Sequence, residues 1–208
     1  MIEESPCAIL DERTREELAA SAIRLIEEAK YDSAATVEFI LDKDKGFYFI
    51  EVNTRIQVEH TVTEMVTGHD LIKWQLKIAA GEPIKLSQRS IKHNGVAIEC
   101  RINAEDPARD FAPCPGTITR YIPPGGPGVR VDTHVHQGWT VSPSYDSMIA
   151  KVIVHQRTRT EAIATMKRAL REFVIEPIKT TIPACLDILS HNLFVKNKID
   201  TGFVERNF

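Results

Sequence analysis

Apolar positions return at helical spacing early in the chain, where Leu18, Ala22, Leu25, Ile26 and Ala29 share one face, so a helix is predicted over 12–30. Thr14 and Glu17 have the spacing of a capping box at its start. Two apolar runs follow, 35–41 and 47–52, divided by the turn-forming Asp42-Lys43-Asp44-Lys45-Gly46, and together they read as a hairpin. Asp70 then caps a stripe of Ile72, Leu76 and Ala79 that stops at Gly81 and Pro83. A first unit closes near residue 84. Beyond a polar connector, 85–94, the period changes to two: Val96, Ile98, Cys100 and Ile102 alternate with Ala97, Glu99, Arg101 and Asn103, as in a half-buried strand. Further strands are predicted over 116–122, 129–135 and 148–155, interrupted by the breaker-rich stretch 123–128, and the sheet reads as antiparallel. Helical spacing returns with Ile163, Met166, Leu170 and Phe173 behind a Thr158/Glu161 capping box, and a last helix is predicted over 182–190. The class is α+β, with units at 1–84 and 85–208 and no internal repeat.

Composition narrows the partners. With 208 residues, 43% of them hydrophobic, the chain has enough apolar material for one large or two small cores. Its net charge of -3 is interspersed along the chain and gives no reason to expect nucleic acid or a membrane surface. No apolar run approaches the ~20 residues of a membrane span, and the acidic start Met1-Ile2-Glu3-Glu4 is unlike a secretory signal, so a cytoplasmic protein is expected. Cys7, Cys100, Cys114 and Cys185 are scattered and read as buried or half-buried thiols.

The candidate chemistry begins in the hairpin, whose turn allows a register that pairs Glu38 with Glu51. Facing carboxylates repel unless a cation or a proton lies between them. Asn53, two residues on, adds a neutral oxygen, and such an oxygen set suits magnesium or manganese. Spacing alone equally fits solvated side chains on an ordinary hairpin. Arg55, Gln57 and Glu59 then recur at every second position, so an extended chain would line them along one side of a cleft. A guanidinium fork suits a carboxylate or bicarbonate, and Glu59 is placed to serve as a base. Asp132, His134 and His136 read as an exposed sheet face, and His60 and His69 as positioning or surface residues.

The string Phe49 to His60, F-I-E-V-N-T-R-I-Q-V-E-H, closely resembles the active-site signature of biotin carboxylase, and Glu99 to Pro107, E-C-R-I-N-A-E-D-P, resembles its second signature. The resemblance runs over essentially the whole chain and implies the second half of an ATP-grasp domain followed by the biotin carboxylase C-terminal domain. It implies that Glu38, Glu51 and Asn53 bind the metals bridging ATP phosphates. It implies that Arg55, Gln57 and the backbone of Val58 hold bicarbonate, that Glu59 is the base, and that Arg101 stabilises the enolate of biotin. Asp146, in Tyr145-Asp146-Ser147-Met148, has a supporting role. ATP, Mg2+ or Mn2+, and biotin presented on a carrier protein or domain are the implied reactants. The implied partners are that carrier, a carboxyltransferase subunit, the N-terminal half of the enzyme and a second copy in a homodimer. Pro127 stands in G-G-P-G-V-R where many relatives carry an aromatic residue at a subunit contact. An acetyl-CoA carboxylase of fatty acid biosynthesis, or a related acyl-CoA or pyruvate carboxylase, is the implied setting. The glycine-rich phosphate-covering loop and the lysines that hold ATP in the family are expected upstream of Met1, so the chain alone is expected to lack turnover. A carbamoyl-phosphate synthetase and a non-catalytic carrier-binding module are the alternatives. The Q-V-E-H extension and the second signature speak against the former.

Overall fold

The computed structural model describes residues 1–42, 44 and 46–208; Lys43 and Lys45 of the predicted turn lie outside the described residues. The class is α+β, and the chain forms two compact units, one of Met1–Pro6 with Asn94–Phe208 and one of Cys7–His93.

Strand β1 (Ile2–Ser5) opens the chain and belongs to the larger unit. The smaller unit starts with α1 (Glu12–Glu28), capped by Asp11, whose carboxylate accepts the Thr14 N–H. Thr14 and Glu17 are therefore not the cap. Asp11 reaches the orphan amide first, and Glu17 instead accepts from Arg13 one turn back. Strands β2 (Thr36–Leu41) and β3 (Phe47–Asn53) form the antiparallel hairpin. Asp42 stitches its turn by accepting the N–H groups of Asp44 and Gly46. Helix α2 (His60–Thr67) ends at Gly68 in the left-handed region, and α3 (Leu71–Ala79) is capped by Asp70 as predicted.

The larger unit resumes with β4 (Val96–Asn103), β5 (Glu105–Asp106), β6 (Ala112–Pro113), β7 (Gly116–Thr117), β8 (Arg120–Ile122), β9 (Val129–Thr133), β10 (Thr140–Val141) and β11 (Met148–Gln156). Helix α4 (Arg159–Glu172), β12 (Val174–Glu176), α5 (Ile182–Ser190), α6 (Asn192–Val195) and α7 (Phe203–Asn207) complete it. Its main sheet has the order β1-β4-β11-β9, antiparallel throughout, as the alternation implied. The predicted strand over 116–122 is two strands. The backbone changes partner at Ile118 and Thr119, which bond toward Trp139 and Glu176, so β7 pairs with β10 and β8 with β12. Gly95 and Gly128, both at positive φ, let the chain pass against the end of β11; a Cβ would stand 2.3 Å from the Gln156 carbonyl oxygen and 2.5 Å from that of His155.

Helix α4 carries the predicted capping box, with Thr158 and Glu161 bonding reciprocally, and lays Ala162, Ile163, Met166 and Leu170 onto Ile98, Cys100, Ile102, Val152 and Val154. Each large aliphatic side chain buried this way stabilises the fold by about 1.5–3 kcal/mol. Strand β4 is buried on both faces rather than half-buried, because it lies inside the sheet and its alternate residues Ala97 and Glu99 are 0% exposed as well. Of the cysteines, Cys100 and Cys185 are buried, Cys114 is partly so, and Cys7 is exposed, contrary to the buried or half-buried reading. Burial pushes the Cys100 thiol well up from its ordinary value, with Cys185 beside it adding to the effect. Among the described residues no helix is long and apolar enough to cross a membrane.

Candidate functional site

The hairpin register pairs Glu38 with Glu51 and Thr36 with Asn53, with an irregularity just after Glu38. Strand alternation then brings Glu38, Glu51 and Asn53 to one face. Asn53 donates from Nδ2 to Glu38 Oε1 at 2.9 Å and to Glu51 Oε1 at 2.9 Å. It is thus the amide nitrogen of Asn53, not the predicted oxygen, that lies between the two acids. A neutral donor there relieves part of their repulsion. Gln57 donates from Nε2 to the same Glu38 oxygen at 2.8 Å, so four of the predicted residues converge. Two carboxylates and an amide that can present its oxygen after a half-turn form a hard-oxygen set that fits magnesium. Among the described residues no group of three or more His, Cys, Asp or Glu side chains is arranged to hold a metal.

The chain after Asn53 is not extended through Glu59. It bends at Thr54 and Arg55, turns at Val58 and Glu59, and enters α2 with Glu59 at the N-cap position, φ -77° and ψ 3°. The predicted alternating row of Arg55, Gln57 and Glu59 is therefore broken. Apolar Val62 and Val66 start a helix at His60, and its first turn cannot keep a period of two. Arg55 is exposed, its Nη1 donating to the Ile56 carbonyl at 3.2 Å. Tyr31 anchors the near end of the bend, its hydroxyl lying 3.1 Å from both the Ala34 and the Thr54 carbonyl oxygens.

Arg101 lies on β4 in the other unit. Its Nε is 2.9 Å from Glu3 Oε1 on β1, an acid outside the second signature. Glu99 faces Lys151 of β11 at 3.8 Å, both largely buried. Glu105 accepts from Asn103 Nδ2 at 3.0 Å and from the Ser147 hydroxyl, which ties the second signature to the Tyr145-Asp146-Ser147-Met148 turn. Asp146 is exposed and caps that turn through the Met148 N–H at 2.8 Å. Asp132 and Arg130 form a two-bonded fork at 2.7 Å, while His134 and His136 meet Trp139 edge-on.

Glu3, Lys151 and Tyr31 make contacts with these residues that sequence reasoning does not assign. Glu3 and Lys151 offer one usable signal, opposite charge on strands alternating with Arg101 and Glu99. Tyr31 offers none, since its targets are backbone carbonyls.

Residues 99–206 match the model of the biotin carboxylase C-terminal domain, and residues 1–87 match that of the carbamoyl-phosphate synthase L chain, ATP binding domain. Biotin carboxylase 1 of Bacillus subtilis is 54% identical over 206 residues, covering 99% of this chain and 46% of the relative. The biotin carboxylase of Haemophilus influenzae is 48% identical over 206 residues, again covering 99% of this chain and 46% of the relative. The crystal structure of the biotin carboxylase domain dimer of Hydrogenobacter thermophilus 2-oxoglutarate carboxylase, in complex with MgADP, ADP and bicarbonate, aligns with a TM-score of 0.97 at 46% identity, covering 99% of this chain and 46% of that one. The chain spans about half the length of the curated relatives it matches.

Proposed function

Since the chain belongs to the biotin carboxylase family, we propose that it forms the C-terminal portion of such an enzyme, with residues 1–84 completing an ATP-grasp domain and 85–208 forming the biotin carboxylase C-terminal domain. The observation that carries this reading is the convergence of Asn53 and Gln57 on the paired Glu38 and Glu51 at the start of the N-T-R-I-Q-V-E-H string. Glu38, Glu51 and the amide oxygen of Asn53 hold magnesium, or manganese in its place. Bound there, the ion supplies positive charge against the phosphates of ATP.

Arg55 offers its guanidinium fork to bicarbonate, and the Val58 N–H and the Gln57 amide complete the cradle, Gln57 exchanging its Glu38 acceptor for a bicarbonate oxygen. Glu59 takes the bicarbonate proton as the anion attacks the terminal phosphorus of ATP, releasing ADP and forming carboxyphosphate. Arg101 stabilises the oxyanion of enolised biotin while the carboxyl group passes from carboxyphosphate to the ring nitrogen, inorganic phosphate leaving with the proton of that nitrogen, and Glu3 and the Asp146 turn support that end of the sheet. A biotin carrier protein or domain, a carboxyltransferase subunit, the ATP-holding N-terminal half and a second copy are the partners, in the cytoplasm. The carboxyltransferase selects the final acceptor, whether acetyl-CoA, propionyl-CoA, pyruvate or another. A second reading, a carbamoyl-phosphate synthetase, is favoured only by the model matched over 1–87.

The test joins this chain to the N-terminal half of Bacillus subtilis biotin carboxylase 1 and measures ADP release. Release that requires both bicarbonate and free biotin, and that falls about 10²-fold in Arg101→Ala, supports the proposal. Biotin-independent formation of carbamoyl phosphate would replace it with the second reading. The 208 residues alone are expected to give no turnover, since they contain no glycine-rich strand-to-helix segment to cover phosphates.

A further inference from the structure

We propose that His60 is a positioning residue that aims the Val58 N–H at bicarbonate. The inference rests on the reading above, in which Arg55, Gln57, Val58 and Glu59 receive that anion.

Between the end of β3 at Asn53 and the start of α2 at His60 the chain has no strand or helix to fix its dihedrals. Its direction has to come from individual bonds. Tyr31 supplies one at Thr54, the Gln57 side chain another through Glu38, and His60 one at the Gln57 carbonyl. The Gln57 carbonyl oxygen accepts the His60 backbone N–H at a long 3.3 Å, while the imidazole Nδ1 of the same residue approaches it to 2.7 Å. A carbonyl oxygen only accepts, so Nδ1 carries the proton and donates. The ring is the closer of the two contacts.

The peptide plane gives this contact its consequence. The Gln57 carbonyl and the Val58 N–H belong to one planar trans peptide and point in opposite directions, so whatever fixes the carbonyl also fixes the amide. A ring bond to Gln57 O therefore sets the direction of the one backbone donor assigned to bicarbonate. The ring's Nε2 lies 4.0 Å from Glu64 Oε1, and Glu64, 8% exposed and one turn further along α2, accepts the Leu71 N–H at 2.8 Å where α3 begins. Thr61, Val62 and Val66 bury the rest of α2, so the imidazole stands on the most buried element of its unit.

Two variants separate positioning from packing. In His60→Asn the side-chain amide nitrogen can take the place of Nδ1 and keep the bond, whereas in His60→Gln it falls nearer Nε2 and loses it. On the 15N-labelled 208-residue chain, the Val58 amide resonance is expected to shift in His60→Gln and to stay near its wild-type position in His60→Asn. Equal shifts in both, or none in either, would overturn the proposal. In the joined enzyme, His60→Gln is expected to raise the KM for bicarbonate about tenfold without changing the KM for ATP, and His60→Asn to restore most of it. If the wild-type joined enzyme depends on bicarbonate and both variants match it, the inference about His60 fails while the functional reading stands. If the wild-type joined enzyme shows no bicarbonate dependence, the functional reading fails, and the Val58 resonances alone decide whether His60 orients that peptide.

Discussion

In the unit built from Met1–Pro6 and Asn94–Phe208, an apolar cluster runs without interruption from Ile98 and Val152 through Met166 and Leu170 to Leu189 and Phe203. In the Cys7–His93 unit, the buried residues among those described all sit on α2: Thr61, Val62, Glu64 and Val66. Ile40, Tyr48, Phe49, Ile50 and Leu76 of that unit remain exposed. The contrast separates two uses of sequence. In the larger unit, the charged side chains of β4, β9 and β11 share one face of the main sheet, and the other face of those strands is core. In the smaller unit, Asn53 and Gln57 converge on the acids of a two-stranded hairpin whose Ile40, Tyr48, Phe49 and Ile50 are exposed. Within these 208 residues the paired carboxylates therefore rest on the unit that buries less apolar surface.

The largest expected effect breaks the contrast from the stable side. Glu99→Ala leaves Lys151 buried without its acid and should cost the larger unit about 3–5 kcal/mol, seen as an earlier urea transition of Trp139 fluorescence in a Trp74→Phe background. Adding Lys151→Met should restore most of that loss. A cost below the error of the measurement would mean the pair is hydrated. Next, Val66→Ala should cost the smaller unit about 2 kcal/mol, followed by Trp74 with Trp139 replaced, and should move its transition ahead of the other unit's. Coincident transitions in that variant would show that the two units unfold as one and that the contrast has no thermodynamic content. The smallest effect sharpens the picture within the larger unit. Thr158→Ala should cost about 1 kcal/mol at neutral pH by removing the α4 cap. The Thr158 hydroxyl, more than any other neighbour, holds the Glu161 carboxyl below its ordinary value. That contribution is complete above the ordinary glutamate range and is lost as the pH falls through the lowered one. The gap between variant and wild type should therefore narrow toward acid, and a constant gap would assign the cost to the hydroxyl alone.

How legible these features were depends on how local their causes are. The Thr158 capping box, the Asp70 cap and the helix over 182–190 follow from neighbours within one turn, and the structure has them as the sequence indicates. The Glu38 to Glu51 register was legible because a short turn links the two strands. Helix α2 was not, since His60-Thr61-Val62-Thr63 is rich in β-branched residues and lacks a side-chain N-cap, though Gly68 and the Val62/Val66 spacing were usable signals. Missing α2 made 53–59 look extended. Strand β1 was invisible for another reason: Glu3 and Glu4 read as solvated acids, and only distant partners, Arg101 and Arg159, show why they are held. The Asn53 amide turns its nitrogen to both neighbouring acids, and its oxygen reaches a shared cation only after a half-turn of the side chain.

Strand β1 has a consequence for how the protein is made. Ile2 pairs with Cys100, and Glu4 meets Arg159, so β1 finds its place only after the whole Cys7–His93 unit and then β11 and α4 have been added. At typical elongation rates that interval is on the order of ten seconds, during which the strand's hydrogen-bonding edges have no native partner. Whatever order the Cys7–His93 segment gains in that interval shortens the loop that β1 must close. The speed of ribosome passage through codons 7–93 then becomes a variable in the yield of folded protein, and synonymous changes that stall it there would lower that yield without altering a single contact in the finished molecule.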